Sequence, residues 1–149
     1  MKINAELRNA RTQDMAACAA ILNDWIDETE WMPRVHSHAD VVQHYKNVVA
    51  AERNVVVVVA ANEIVGMMAV APDDFITALY VKRSYRRQGV GRFLLERAKR
   101  DAGASLRLWT FQKNTSALAF YAHEGFVEVN HTDGDNEENL PDTMLEWLA

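Results

Sequence analysis

A single cysteine, Cys18, excludes an intrachain disulfide and suits a reducing compartment. Its place among apolar neighbours on a helical pattern marks it as a small core residue, not a nucleophile. Long apolar runs are missing too. The longest, Val55 to Ala61, is far too short to span a bilayer. No basic segment followed by an apolar stretch opens the chain, so a signal peptide is not expected and the cytoplasm is the expected location. Only 3 prolines and 6 glycines are spread over 149 residues, with no low-complexity tract or internal repeat, so each one acts as local punctuation. After Ala122 there is no Lys or Arg at all.

What is present is an ordinary balance for one folded domain, here taken as residues 1–149: 49% apolar, 25% charged, net charge −5. The charge is unevenly placed. Lys82, Arg83, Arg86, Arg87, Arg92, Arg97, Lys99 and Arg100 face only Glu96 within one stretch, whereas the last part of the chain is purely acidic. One surface should therefore attract anions and another cations.

Periodicity gives the elements. Lys2 to Arg8 alternates as a strand, and Thr12 to Asp27 has helical spacing with Thr12 placed to cap it. Ala39 to Ala51 reads as a weaker helix, after a bulky loop from Glu28. The β-branched run Asn54 to Ala61 predicts a buried strand that turns at Asn62-Glu63 into a hairpin partner, Ile64 to Val70. Phe75 to Val81 is a further strand. An amphipathic helix follows from Gly89 to Ala102, stopped by Gly103. Leu106 to Thr110 predicts a strand, and Asn114 or Thr115 caps a helix to Glu124. Strands at Phe126 to Asn130 and Thr143 to Leu148 flank the polar loop His131 to Pro141. The order predicts an α/β domain of α+β type with a mixed, partly antiparallel central sheet flanked by helices.

The stretch Arg86-Arg87-Gln88-Gly89-Val90-Gly91 carries the chemistry. Two glycines between a strand and a helix let the backbone turn and approach a ligand. The helix start offers unpaired N–H groups and the positive end of the helix dipole. That is a site for a phosphate or pyrophosphate. A Rossmann fingerprint would need a third glycine where Leu94 stands, close to the first strand. A Walker loop would need Lys and Ser/Thr where Arg92 and Phe93 stand. Nucleic-acid binding is disfavoured by the acidic total and by the lack of aromatic residues interleaved with the basic cluster.

This pattern resembles the GNAT superfamily of acetyl-coenzyme A-dependent N-acetyltransferases. The resemblance rests on Leu79-Tyr80-Val81, the Arg-x-x-Gly-x-Gly at Arg86 to Gly91, and Asn114 followed by Tyr121 and Gly125-Phe126. It implies an acyl-CoA N-acyltransferase fold and acetyl-CoA as co-substrate, with no metal. The backbone of Leu79, Tyr80 and Val81 would pair with the pantetheine arm. The N–H groups of Arg87, Gln88, Gly89, Val90, Gly91 and Arg92, with Arg86 beside them, would wrap the pyrophosphate. Asn114 would contact the pantetheine arm, and Tyr121 would protonate the departing thiolate. A thiol of pKa near 8.5 and a tyrosine near 10 make full transfer uphill by about 2 kcal/mol, so a hydrogen-bond donor role is the alternative.

The implied reaction is attack of a primary amine, from a small molecule or peptide, on the thioester. Deprotonating a lysine-like amine at pH 7 costs roughly 4.6 kcal/mol, and an α-amine about 1 kcal/mol. Asp73 and Asp74 are the weak candidates for a base. The acceptor pocket is implied between Glu28 to His38 and His131 to Pro141. There an acidic loop beside Trp31 would suit a cationic acceptor. His36 and His38 read as a solvated pair in preference to metal ligands. Family members are often dimers, and a homodimer remains open. A non-catalytic domain that binds acetyl-CoA as a sensor or scaffold is the other reading of the same residues.

Overall fold

Valine at nearly every position of one strand shows where the centre of the molecule lies. The strand β2 (Asn54–Ala60) turns Val55 and Val57 to one face of a sheet and Val56 and Val58 to the other, and all four are buried. A strand covered on both faces needs a continuous apolar run and not an alternating one. The computed structural model describes residues 3–149. Its other strands are β1 (Glu6–Asn9), β3 (Glu63–Ala71), β4 (Phe75–Val81), β5 (Ser105–Phe111), β6 (Val127–Thr132) and β7 (Asp142–Leu148). They form one seven-stranded sheet in the order β1-β2-β3-β4-β5-β7-β6. Every pairing is antiparallel except β4 with β5. The mixed, partly antiparallel sheet is thus as expected.

Helix α1 (Met15–Glu28) and α2 (His38–His44) cover one face. A π-helical segment, Tyr45–Val49, carries α2 without a break into the last turn α3 (Ala50–Glu52). There Met15, Cys18, Ala19, Val41, Tyr45 and Val49 pack on Val55, Val57, Met67 and Ala69. Burial pushes the Cys18 thiol up to about 12, which makes it inert near neutral pH. On the other face, α4 (Val90–Asp101) and α5 (Thr115–His123) bury Leu94, Leu95, Ala98 and Tyr121 against Val56, Val58, Leu106 and Leu108. No helix is long and apolar enough to cross a membrane, among the described residues.

Local details depart from the sequence expectations. The first strand begins at Glu6, and the expected start at Lys2 lies outside the described residues. Thr12 does not cap α1. It opens a 3-10 turn, Thr12–Asp14, and the buried Asp14 accepts the Arg11 N–H at 2.7 Å and ion-pairs with Arg8 at 2.7 Å. One carboxylate thereby ties the end of β1 to the start of α1. The β2–β3 turn falls on Ala61 and Asn62, φ +50° and +63°, one residue earlier than expected. Pairing of Ala60 with Glu63 leaves a two-residue loop, for which the left-handed pair matches the strand twist. Gly103 is not a left-handed helix stop. Ala102 is already extended, and the Gly103 N–H donates to Asp74 at 3.2 Å.

Gly66 has a packing role that periodicity did not reveal. A Cβ there would stand 2.7 Å from Val90 Cγ1, a stiff β-branched side chain in the first turn of α4. Gly66→Ala should therefore cost about 1–3 kcal/mol in denaturant unfolding, and a neutral result would show that α4 can shift. Hydrogen bonding to Arg8 holds the Asp14 carboxyl below its usual range. A folded-state pKa below the unfolded one contributes stability above the unfolded value and loses it as pH falls. Asp14→Asn should thus destabilise the protein at pH 7, and its gap to the parent should narrow below about pH 4 in pH-dependent unfolding.

Candidate functional site

Strands β4 and β5 pair only through Phe75 with Arg107 and Ile76 with Leu108. Thr77 is the cause on one side. The β3–β4 register passes from Val70–Ile76 to Ala69–Ala78, so Thr77 is an extra residue, a β-bulge that bends its strand. Its hydroxyl donates to Ala69 O at 3.3 Å. On the other side β5 stays paired with β7 out to Phe111–Asp142. The two strands part like a V, and the β4 edge beyond Ile76 has no strand partner.

The opening is a cleft of about 90 Å³. Leu79 and Tyr80 line one wall, Trp109 to Phe111 the other, and Asn114, Ala117 and Tyr121 of α5 the floor. Trp25 of α1 closes one side. The Asn114 side chain caps α5, accepting from Ala117 N at 3.2 Å, and leaves its own NH₂ without a protein partner among the described residues. Tyr121 lies between Phe120 and Phe126, ring centroids 5.1 and 5.3 Å away. Burial, and then the neighbouring Tyr80, push its hydroxyl well above the ordinary tyrosine range. Burial raises Tyr80 itself to about 12, with a further push from Glu138. Neither hydroxyl ionises near neutral pH.

Beyond Val81 the chain makes a 3-10 turn, Arg83–Tyr85, and then reverses at Arg87 (φ +61°) and Gly89 (φ +90°). Gly89 is the residue before α4, and its conformation is one that glycine adopts without strain. Gly91 sits inside α4, within the helical run predicted from Gly89, and its lack of a positive φ leaves the reversal to Arg87 and Gly89. A Cβ on Gly91 would lie 3.4 Å from the Phe120 ring and 3.9 Å from Leu79, ordinary contact distances, so the packing there leaves room for one. Phe93 N bonds to Gly89 O at 3.0 Å as the first closed turn. The amides of Val90, Gly91 and Arg92 are therefore the unpaired N–H groups of the helix start.

The side chains of this turn divide by role. Arg86 Nε donates to Val81 O at 2.9 Å, and its guanidinium ion-pairs with Glu28 of α1. Gln88 Nε2 donates to Ser84 O at 3.1 Å. Both brace the turn from within. Arg92 pairs with Glu96 at 3.2 Å, and Lys82 with Glu63 at 3.3 Å. Arg83 and Arg87 have no carboxylate partner among the described residues. Asp73 and Asp74 lie in the turn before β4, the end away from Tyr80, about 20 Å along an extended strand. Neither is among the residues that line the cleft, whose wall on β4 begins at Ile76.

Two loops border the mouth. Residues 29–37 are tied down by Arg34, which contacts Asp27 at 2.8 Å and Asn23 Oδ1 at 3.0 Å. The loop 133–141 is braced by Asn136, which bonds Leu140 through both its N–H and its carbonyl. His36 and Glu137 join the loops at 2.8 Å, while His38 pairs separately with Asp27 at 2.7 Å. The sequence reading missed Trp25 and Phe111 at this mouth. Phe111 carried a signal, because the carboxyl end of a strand in a parallel pair is where ligands bind in open sheets.

The family model for the acetyltransferase (GNAT) domain matches residues 48–128, from before β2 to the start of β6. The peptidyl-lysine N-acetyltransferase YiaC of Escherichia coli (strain K12) is 25% identical over 149 residues, covering 95% of each chain. Apo YjaB from Escherichia coli superposes with a TM-score of 0.79 at 22% identity, over 97% of this chain and 98% of that one. The PaiA N-acetyltransferase of Thermoplasma acidophilum, solved in complex with coenzyme A, gives 0.78 at 17% identity, over 99% and 100%. These structures share the fold. With the family match spanning both walls of the cleft, the glycine turn, α4 and α5, the chain belongs to the GNAT family of acetyltransferases and is an acyltransferase.

Proposed function

We propose that this protein transfers the acetyl group of acetyl-CoA to a primary amine by direct attack within a ternary complex. The observation that carries the reading is the parting of β4 from β5 over Asn114 and Tyr121, leading to the unpaired amides of α4. The cleft is narrow, about 90 Å³. Such a cleft admits a thin chain and not a nucleotide. The free edge of β4 at Leu79, Tyr80 and Val81 would hold the amide-bearing arm, with the Asn114 NH₂ beside it. The amides from Arg87 to Arg92 would hold the pyrophosphate outside the cleft, with Arg87 as the unpaired cation nearest to it. Acetyl-CoA brings the activated thioester, and this chain supplies position and polarity. Its use alongside one buried cysteine suits a reducing cytoplasm. The Escherichia coli relative is a peptidyl-lysine N-acetyltransferase, which supports an amine acceptor.

Tyr121 acts as a donor to the sulfur as negative charge develops there. Burial has raised its pKa, so complete proton transfer is more uphill than the ordinary 2 kcal/mol or so, and a hydrogen bond in a dry site is the effective contribution. The direct test measures thiol release from acetyl-CoA against a panel of amines. Release is expected with amines, and tight acetyl-CoA binding without release would favour a sensor or scaffold. Tyr121→Phe keeps the ring packing and should lower kcat about 100-fold while the acetyl-CoA Kd stays within about threefold. Unchanged turnover would remove Tyr121 from the mechanism. With a lysine-type amine, kcat/KM should climb from pH 7 to 10 as the acceptor loses its proton. No fall should appear below about pH 10, because Tyr121 and Tyr80 both stay protonated there. A descending limb centred near pH 8 would contradict this assignment.

A further inference from the structure

Four half-buried aromatic rings run in series across the mouth of the cleft. Tyr80 meets Trp25 at 5.4 Å, Trp25 meets Trp31 at 5.8 Å, and Trp31 meets Phe111 at 6.0 Å, the last two edge to face. The rings come from β4, from α1 and the loop after it, and from the end of β5. They therefore bridge the two lips of the V. Half-buried rings in a row present faces that attract cations and flat apolar surface that an alkyl chain can cover.

The unpaired charge in the two loops beside this row is acidic. Arg34, the cation of the 29–37 loop, is already held by Asp27, Asn23 and the His36 carbonyl. Glu138, half-buried in the opposite loop, makes no ion pair among the described residues, and its charge is felt at the Tyr80 hydroxyl. Its neighbour Glu137 is fastened to His36 at 2.8 Å, so the acidic loop is attached to the loop that carries Trp31. Asn136 and the left-handed Asn139 (φ +54°) fix the backbone on either side of the pair. Glu138 thus sits in a braced loop joined to the one that carries Trp31, with no ion-pair partner among the described residues.

We propose that this row is the acceptor slot and that it takes a primary alkylammonium, with the aliphatic stem on Trp25 and Trp31 and the charge towards Glu138. The inference rests on the amine-acceptor reading above. A lysine side chain and a free polyamine share this chemistry. An anionic amine would meet Glu137 and Glu138, and neither flanking loop carries an unpaired Lys or Arg to offset them.

Calorimetric titration with coenzyme A present, so that no transfer occurs, tests the slot independently of turnover. The probes are Nα-acetyl-lysine methylamide, spermidine, and the norleucine and glutamate counterparts of the lysine compound. The lysine compound should bind at least ~10-fold tighter than the norleucine one, and the glutamate compound should not bind measurably. Spermidine binding more tightly than the lysine compound identifies a polyamine source, and the reverse identifies a peptide. Trp31→Leu should weaken the cation by ~2- to 30-fold and Trp31→Phe should restore most of that. Glu138→Gln should remove the preference for lysine over norleucine. Equal binding of norleucine and lysine, or an unchanged preference in Glu138→Gln, overturns the slot. Cation binding without thiol release would keep the slot and sink the enzyme reading. Anionic amines acetylated as fast as cationic ones would do the opposite.

Discussion

Parallel pairing between β4 and β5 stops after two residue pairs, and the cleft, the position of Tyr121 and the reach of the glycine turn all follow from that stop. Two strands left side by side would normally complete their ladder, because buried backbone groups seek partners. Here the bulge at Thr77 bends β4 away and β7 holds β5 on its far side. The result is a strand edge without a partner, lying in the middle of a sheet where aggregation with another chain is blocked by its own neighbours. An extended ligand with amide groups can then bond to it as a missing strand would.

Basic residues that looked alike in the sequence have separate tasks. Arg86 is spent on Val81 and Glu28, joining the end of β4 to the end of α1. Lys99 reaches back to Glu124 O at 2.6 Å and lies over Trp147. Arg97 is shared between Asp101 and Asn9. Arg83, Arg87 and Arg100 are the members of this stretch without a carboxylate partner among the described residues, and the first two lie next to the helix-start amides. Surface pairs such as Arg92 with Glu96 contribute little, so that arginine can turn to a bound anion at small cost.

Much of this was legible in the sequence because local chemistry and global fold agree. The β-branched run, the strand at Phe75, the Gly89 reversal and the Asn114 cap each have one structural meaning that a short window reveals. What was hidden depends on register or on distant contacts. Gly66 reads as an ordinary strand glycine until Val90 is seen above it. The bulge at Thr77 leaves no mark in composition. Gly89 and Gly91 look equivalent, yet one turns the chain and the other lies within the helix at ordinary φ. Asp73 and Asp74 are near the right strand in sequence and at its wrong end in space. The aromatic row joins residues from Trp25 to Phe111, a separation that no local pattern encodes.

The sheet order has a consequence for how the molecule comes into being. Strand β7 follows β6 in the sequence yet lies inside the sheet between β5 and β6, where it holds β5 on the side away from β4. A growing chain that has emerged only as far as β6 already carries the glycine turn, the Asn114 cap and Tyr121. The bulge at Thr77 already bends β4, but β5 still lacks the partner that holds it on its far side. The residues of the site thus precede in the sequence the strand that fixes one wall of its cleft.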